Sequence, residues 1–194
     1  PNVRLTWGGE IKRQKESFGA LGTAMGIGVI LVYLIMVALY DNFVYPFVVL
    51  FSILVSLVGA ILALALSASN MGIFTMLGML MLLGLVAKNA ILIVDFTNHL
   101  KEKGMTTYSA LLESVRERMR PILMTTIAMV IGMVPIATAT GAGAEWKNGL
   151  AWVLIGGLTS SMFLTIIVVP MMYYTVDRIQ DKIRFKRLAK LMEE

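Results

Sequence analysis

Cysteine is absent from the 194 residues, so neither a disulfide framework nor a thiolate metal site is available. Histidine occurs once, as His99; metal centres need clustered ligands, so no metal site and no cofactor is expected. The motifs of an intramembrane enzyme are missing too: there is no His-Glu-x-x-His, no Gly-x-Ser-x-Gly and no pair of intramembrane aspartates. The chain opens on Pro1 without a methionine, which reads as a fragment or as Met removal before proline, and the polar stretch to Ser17 is not a signal peptide.

Apolar residues are what the chain has in excess. They make up 58% of the sequence with a mean hydropathy of +0.80, against about 45–50% in soluble domains, and a soluble globule is a poor fit to that. Five runs stand out, over about 21–39, 43–66, 73–96, 122–139 and 150–174. Each has about the 17–25 residues that a helix needs to cross roughly 30 Å of hydrocarbon, and lipid permits few other backbone solutions. The reading is an all-α membrane protein of five transmembrane helices, with 1–18 before the bundle, the bundle over 19–176 and a basic tail over 177–194.

Charge sets the orientation. The connection after the third run carries Lys101, Lys103, Arg116, Arg118 and Arg120, and the tail carries Arg178, Lys182, Arg184, Lys186, Arg187 and Lys190. An odd number of crossings puts both on one side, which the positive-inside rule makes cytoplasmic. Arg4, Lys12, Arg13, Lys15 and Lys147 lie on the other side. Within the long connection, 106–119 is amphipathic, with Leu111, Leu112, Val115 and Met119 on one face, and is expected as an interfacial cytoplasmic helix. The basic tail reads as an anchor to anionic membrane lipid rather than to nucleic acid, since no groove-reading module accompanies it.

One residue breaks the pattern. Lys88 is the sixteenth of the 24 residues in the third run, roughly 12 Å from its cytoplasmic end and 22 Å from the other. A charged lysine near the bilayer centre costs about 2.5–3.5 kcal/mol on insertion scales, so it should face protein or water and have a partner. Asp95 shares its face but lies about 10 Å along the axis, too far for an ion pair. No other acid lies inside the five runs. Lys88 is therefore either neutral or paired with a carboxylate outside this chain; a helix-association device or a lipid-facing lysine is the blander alternative. Asp95 and His99, at i and i+4, read as a solvated interfacial pair.

The segment from Gly84 to Phe96, containing Ala87, Lys88, Asn89 and Asp95, resembles the tenth transmembrane helix of the hydrophobe/amphiphile efflux branch of the resistance-nodulation-division superfamily. Arg118 to Thr125, with Arg120 and Pro121, resembles the start of its eleventh helix, and Thr138 to Gly143 the turn that follows. Ala38 to Phe43 with Pro46 resembles the junction of helices eight and nine. The resemblance runs from about Leu5 to Arg178 and implies spans eight to twelve of a twelve-span proton-driven multidrug exporter, a secondary transporter and not an enzyme. It implies a Gram-negative inner membrane with the N-terminus periplasmic and the C-terminus cytoplasmic. Thr6 to Gly9 looks like the last piece of a periplasmic porter domain.

The resemblance also assigns roles. The lysine matching Lys88 pairs with two aspartates in the missing N-terminal half, and Thr125 and Arg118 match members of the same proton relay. Asn89 and Asp95 are candidates for a polar path. A homotrimer, a periplasmic adaptor and an outer-membrane channel are the implied partners. Read from the residues alone, Thr125 serves equally well by bonding its own backbone carbonyl. Gly22, Gly26, Gly28, Gly78, Gly84, Gly156 and Gly157 are expected at close helix contacts, and Pro135 is expected to kink or end the fourth span. A non-transporting assembly or sensing module on the same fold, or an exporter of other cargo such as lipid or metal, would keep the spans and the packing.

Overall fold

The computed structural model describes residues 8–40, 43, 45–141 and 143–192, which fold into five helices with no strand among them. They are α1 (Gly8–Tyr40), α2 (Tyr45–Leu66), α3 (Ile73–Glu102), α4 (Thr107–Ala137) and α5 (Ala144–Met192). All five are long and apolar enough to cross a membrane. Most outlast the apolar runs in the sequence, because hydropathy registers only the part in hydrocarbon. The flanks, such as Lys12 to Glu16, are good helix formers that continue the backbone ladder. Residues 8–18, expected before the bundle, are thus the first turns of α1. The rest of that segment, Asp41, Asn42 and the tail side chains beyond Ile179 lie outside the described residues.

One boundary needs correcting. The expected interfacial helix over 106–119 and the expected span over 122–139 form a single helix, α4, with Pro121 and Pro135 inside it. An interior proline costs about 3 kcal/mol of helix, and packing on both sides of Pro121 offsets it. Before it, Ala110 and Ser114 are buried and the Ser114 hydroxyl donates to the Ile93 carbonyl of α3 (2.9 Å); after it, Ile122 and Thr126 are buried. Pro135 stands two residues before the helix end rather than at it. The next turn places Gly141 and Gly143 at φ +127° and +84°, values that suit only glycine.

Packing is organised around α5, which lies against α2, α3 and α4, while α1 lies against α2 and α3. The closest approach joins α2 to α5: a Cβ on Gly156 would sit 2.0 Å from the Ala63 Cβ and 3.0 Å from the Gly59 carbonyl oxygen. Ser52 and Thr165 are 3.2 Å apart across the same interface. Gly157 faces Leu82 and Gly78 faces Leu150, as expected of packing glycines. Gly22, Gly26, Gly28 and Gly84 have open space beside them instead, because the faces that carry them are uncovered in this chain. Only 6% of the most apolar stretch of α1 and 11% of that of α4 is buried, against 56% for α3. The third helix is therefore walled in on most sides.

Candidate functional site

The wall around α3 has one gap. Between Ile73 and His99 the exposed residues are Met81, Gly84, Lys88, Asp95 and His99, and at 100° per residue all five fall on one narrow strip. One flank is α1, whose Tyr40 hydroxyl donates to the Ile91 carbonyl (3.3 Å). The other is α4, whose Arg118 guanidinium lies 4.8 Å from the centroid of the Phe96 ring. Toward the Glu102 end of α3 the strip opens into a cavity of about 670 Å³ lined by Tyr40, Asp95, His99 and Arg118, among others.

Lys88 stands exposed on this strip, and among the described residues no hydrogen bond or ion pair reaches it. Asp95 lies on the same strip and in the cavity, likewise without an ion pair among them. His99 faces Glu102 at 3.9 Å rather than Asp95. Arg118 is half-buried with its Nε lacking a hydrogen-bond partner. Because α4 is unbroken through Pro121, Arg118 and Thr125, seven residues apart, share a face. The Thr125 side chain is exposed, and its hydroxyl donates to its own helix, at the Pro121 carbonyl (2.9 Å) with the Ile122 carbonyl 3.2 Å away. Asn89, next to Lys88, is turned inward and buried. Arg118 and Asp95 are thus brought to one cavity, while Lys88 and Thr125 remain open on neighbouring helices.

A second constellation was not singled out by the sequence reading. At the same end of the bundle, Asp177 of α5 is 5% exposed and is contacted by three other helices. Its Oδ1 accepts from Lys101 Nζ (2.5 Å) and the Tyr45 hydroxyl (3.0 Å), and its Oδ2 accepts from the Thr107 hydroxyl (2.6 Å). One turn before, Tyr173 is fully buried, stacks on Tyr45 with centroids 4.8 Å apart and donates to Asn98 Oδ1. The faint signal was an acid three residues past the fifth apolar run. Lys101 had figured only as a topogenic charge.

The family model described as AcrB/AcrD/AcrF matches residues 1–177. Swarming motility protein SwrC of Bacillus subtilis (strain 168) is 37% identical over 182 residues, which cover 93% of this chain and 17% of that protein. The toluene efflux pump membrane transporter TtgB and the multidrug/solvent efflux pump membrane transporter MepB, both of Pseudomonas putida, are each 34% identical over 175 residues, 90% of this chain and 17% of theirs. The chain spans about one sixth of the length of these relatives.

Proposed function

Since the chain belongs to the AcrB/AcrD/AcrF family, we propose that it is the C-terminal transmembrane half of a multidrug exporter driven by the proton-motive force, and that it carries part of the intramembrane proton relay. The observation that carries this reading is the open strip on α3, where an ammonium group near mid-span has no ion-pair partner among the described residues, Asp95 lying about 10 Å along the axis. Such a group requires an acid at its own depth, and carboxylates on helices outside this chain supply it.

Protonating that acid removes the charge that holds Lys88. The ammonium then turns toward Thr125, and the helices beside it repack between two arrangements. Arg118 and Asp95 hold the cytoplasmic end of the path, with Asn89 beside it. One proton supplies about 2.3 kcal/mol per 100 mV and 1.36 kcal/mol per unit of pH difference, enough to shift such an equilibrium substantially. The orientation is N-terminus periplasmic and C-terminus cytoplasmic in a bacterial inner membrane. The working assembly is a homotrimer joined to a periplasmic adaptor and an outer-membrane channel.

The relatives named for toluene and multidrug or solvent efflux support drug-like cargo. The relative named for swarming motility favours, as a second reading, the same cycle serving another cargo. Lys88→Ala in the intact transporter is expected to abolish export while membrane insertion stays normal. Export at the wild-type rate from that variant would remove Lys88 from the mechanism. Proton movement measured with and without drug separates a pump from a non-transporting module.

A further inference from the structure

We infer that Asp177 is a positioning residue: its carboxylate fastens the turn between α3 and α4, and the head of α2, to α5, and so fixes the register between Lys88 on α3 and Arg118 and Thr125 on α4. This rests on the relay reading above and adds a residue that touches none of the relay groups.

The geometry is that of a joint. Lys101 is in the last turn of α3, Thr107 is the first residue of α4 and Tyr45 is the first residue of α2, and each donates to the same carboxylate on α5. Both oxygens are engaged, and the ionised form accepts all three bonds without an O–H of its own to place. The acid is almost fully buried, while the Lys101 side chain is 27% exposed, so water offers little substitute for a lost bond. The carboxylate also sits at the start of α4, where the helix dipole favours negative charge. Below it, the Tyr45 and Tyr173 rings and the Tyr173 bond to Asn98 keep the same helices in contact.

What this joint controls follows from helix stiffness. Lys88 lies 13 residues before Lys101 and Arg118 lies 11 residues after Thr107, roughly 20 Å and 17 Å along the two helices. Short helix-to-helix connections hold little slack, so a shift at the Lys101–Thr107 turn reaches the relay as a shift of one helix past the other. Asp177 and Thr107 set that geometry without lining the cavity of Asp95 and Arg118, whereas Lys101 and Tyr45 line it as well.

The test uses the intact transporter in proteoliposomes, reading export against pH, protons moved per drug, and insertion. Asp177→Asn keeps the shape and removes the charge. It is expected to lower coupled export about tenfold, within the range of mutations that act on coupling at a distance, and to displace the pH midpoint, with insertion retained. Exchanging the pair, Lys101→Asp with Asp177→Lys, is expected to recover part of the loss. An unmoved pH midpoint and wild-type stoichiometry in Asp177→Asn would mark the cluster as a structural staple only and overturn the proposal. Should Asp177→Asn fail to insert, Thr107→Val and Tyr45→Phe each remove one bond and are expected to move the midpoint in a common direction; wild-type profiles in both overturn it equally. Lys88→Ala, run alongside, separates the two readings. A dead Lys88→Ala beside an unmoved Asp177→Asn sinks only the positioning role, whereas an active Lys88→Ala removes the relay and this proposal with it.

Discussion

At one end of α3, Asn98 and Lys101 reach partners on α5; thirteen residues earlier on the same helix, Lys88 reaches none among the described residues. Both regions put a lysine where water is scarce, and they resolve the cost differently. The Asp177 cluster closes within the chain, and its bonds hold four helices in register. The strip bearing Lys88 is left open, flanked by two helices whose own surfaces are largely uncovered. A closed ion pair serves architecture, and an open one implies that its counter-charge comes from somewhere else.

Removing pieces of each region in turn tests that contrast. The largest effect on stability is expected at Asp177→Ala, which strands Lys101 and removes the anchor on α5 that α2, α3 and α4 share. A loss of about 3 kcal/mol is expected, the low end for breaking a buried pair because Lys101 is partly exposed, and chemical unfolding in detergent measures it. Next comes Gly156→Ala, whose methyl would collide with Ala63. It should cost about 1–3 kcal/mol, while Gly84→Ala on the open strip, with nothing within 4 Å, should leave unfolding of this chain unchanged. Ser52→Ala removes one interhelical hydroxyl bond to Thr165 and is expected to cost about 0.6 kcal/mol, typical for such bonds in membrane bundles. Lys88→Met should have the smallest effect on unfolding and a total effect on export. If it unfolds the bundle as Asp177→Ala does, the two regions are not different in kind.

How much of this could be read from the sequence depended on whether the signal was local. The five crossings were legible because lipid leaves an apolar run of that length no solution but a helix. Lys88 was legible for the same reason, as a charge set among apolar neighbours. Pro121 left the join of the amphipathic stretch and the fourth span open, because proline is tolerated in a helix's first turn; Ser114 and Ile122, packed on either side of it, carry α4 through. The Gly22 and Gly26 spacing looked like a contact motif, yet the real crossing pairs Gly59 with Gly156, far apart in the chain and linked by no spacing rule. Asp177 and Lys101 are 76 residues apart. No periodicity connects them, and only the folded bundle brings them to one point.

The unbroken course of α4 carries one more consequence. Pro121 has no amide hydrogen, so the carbonyl of Glu117 loses its partner within the helix. That leaves a notch over the turn from Glu117 to Pro121, which takes in Arg118 and ends one turn before Thr125, the place in this half of the rod where bending meets least resistance. A helix weakened there can tip its apolar segment about the end that Asp177 holds, without sliding along α3.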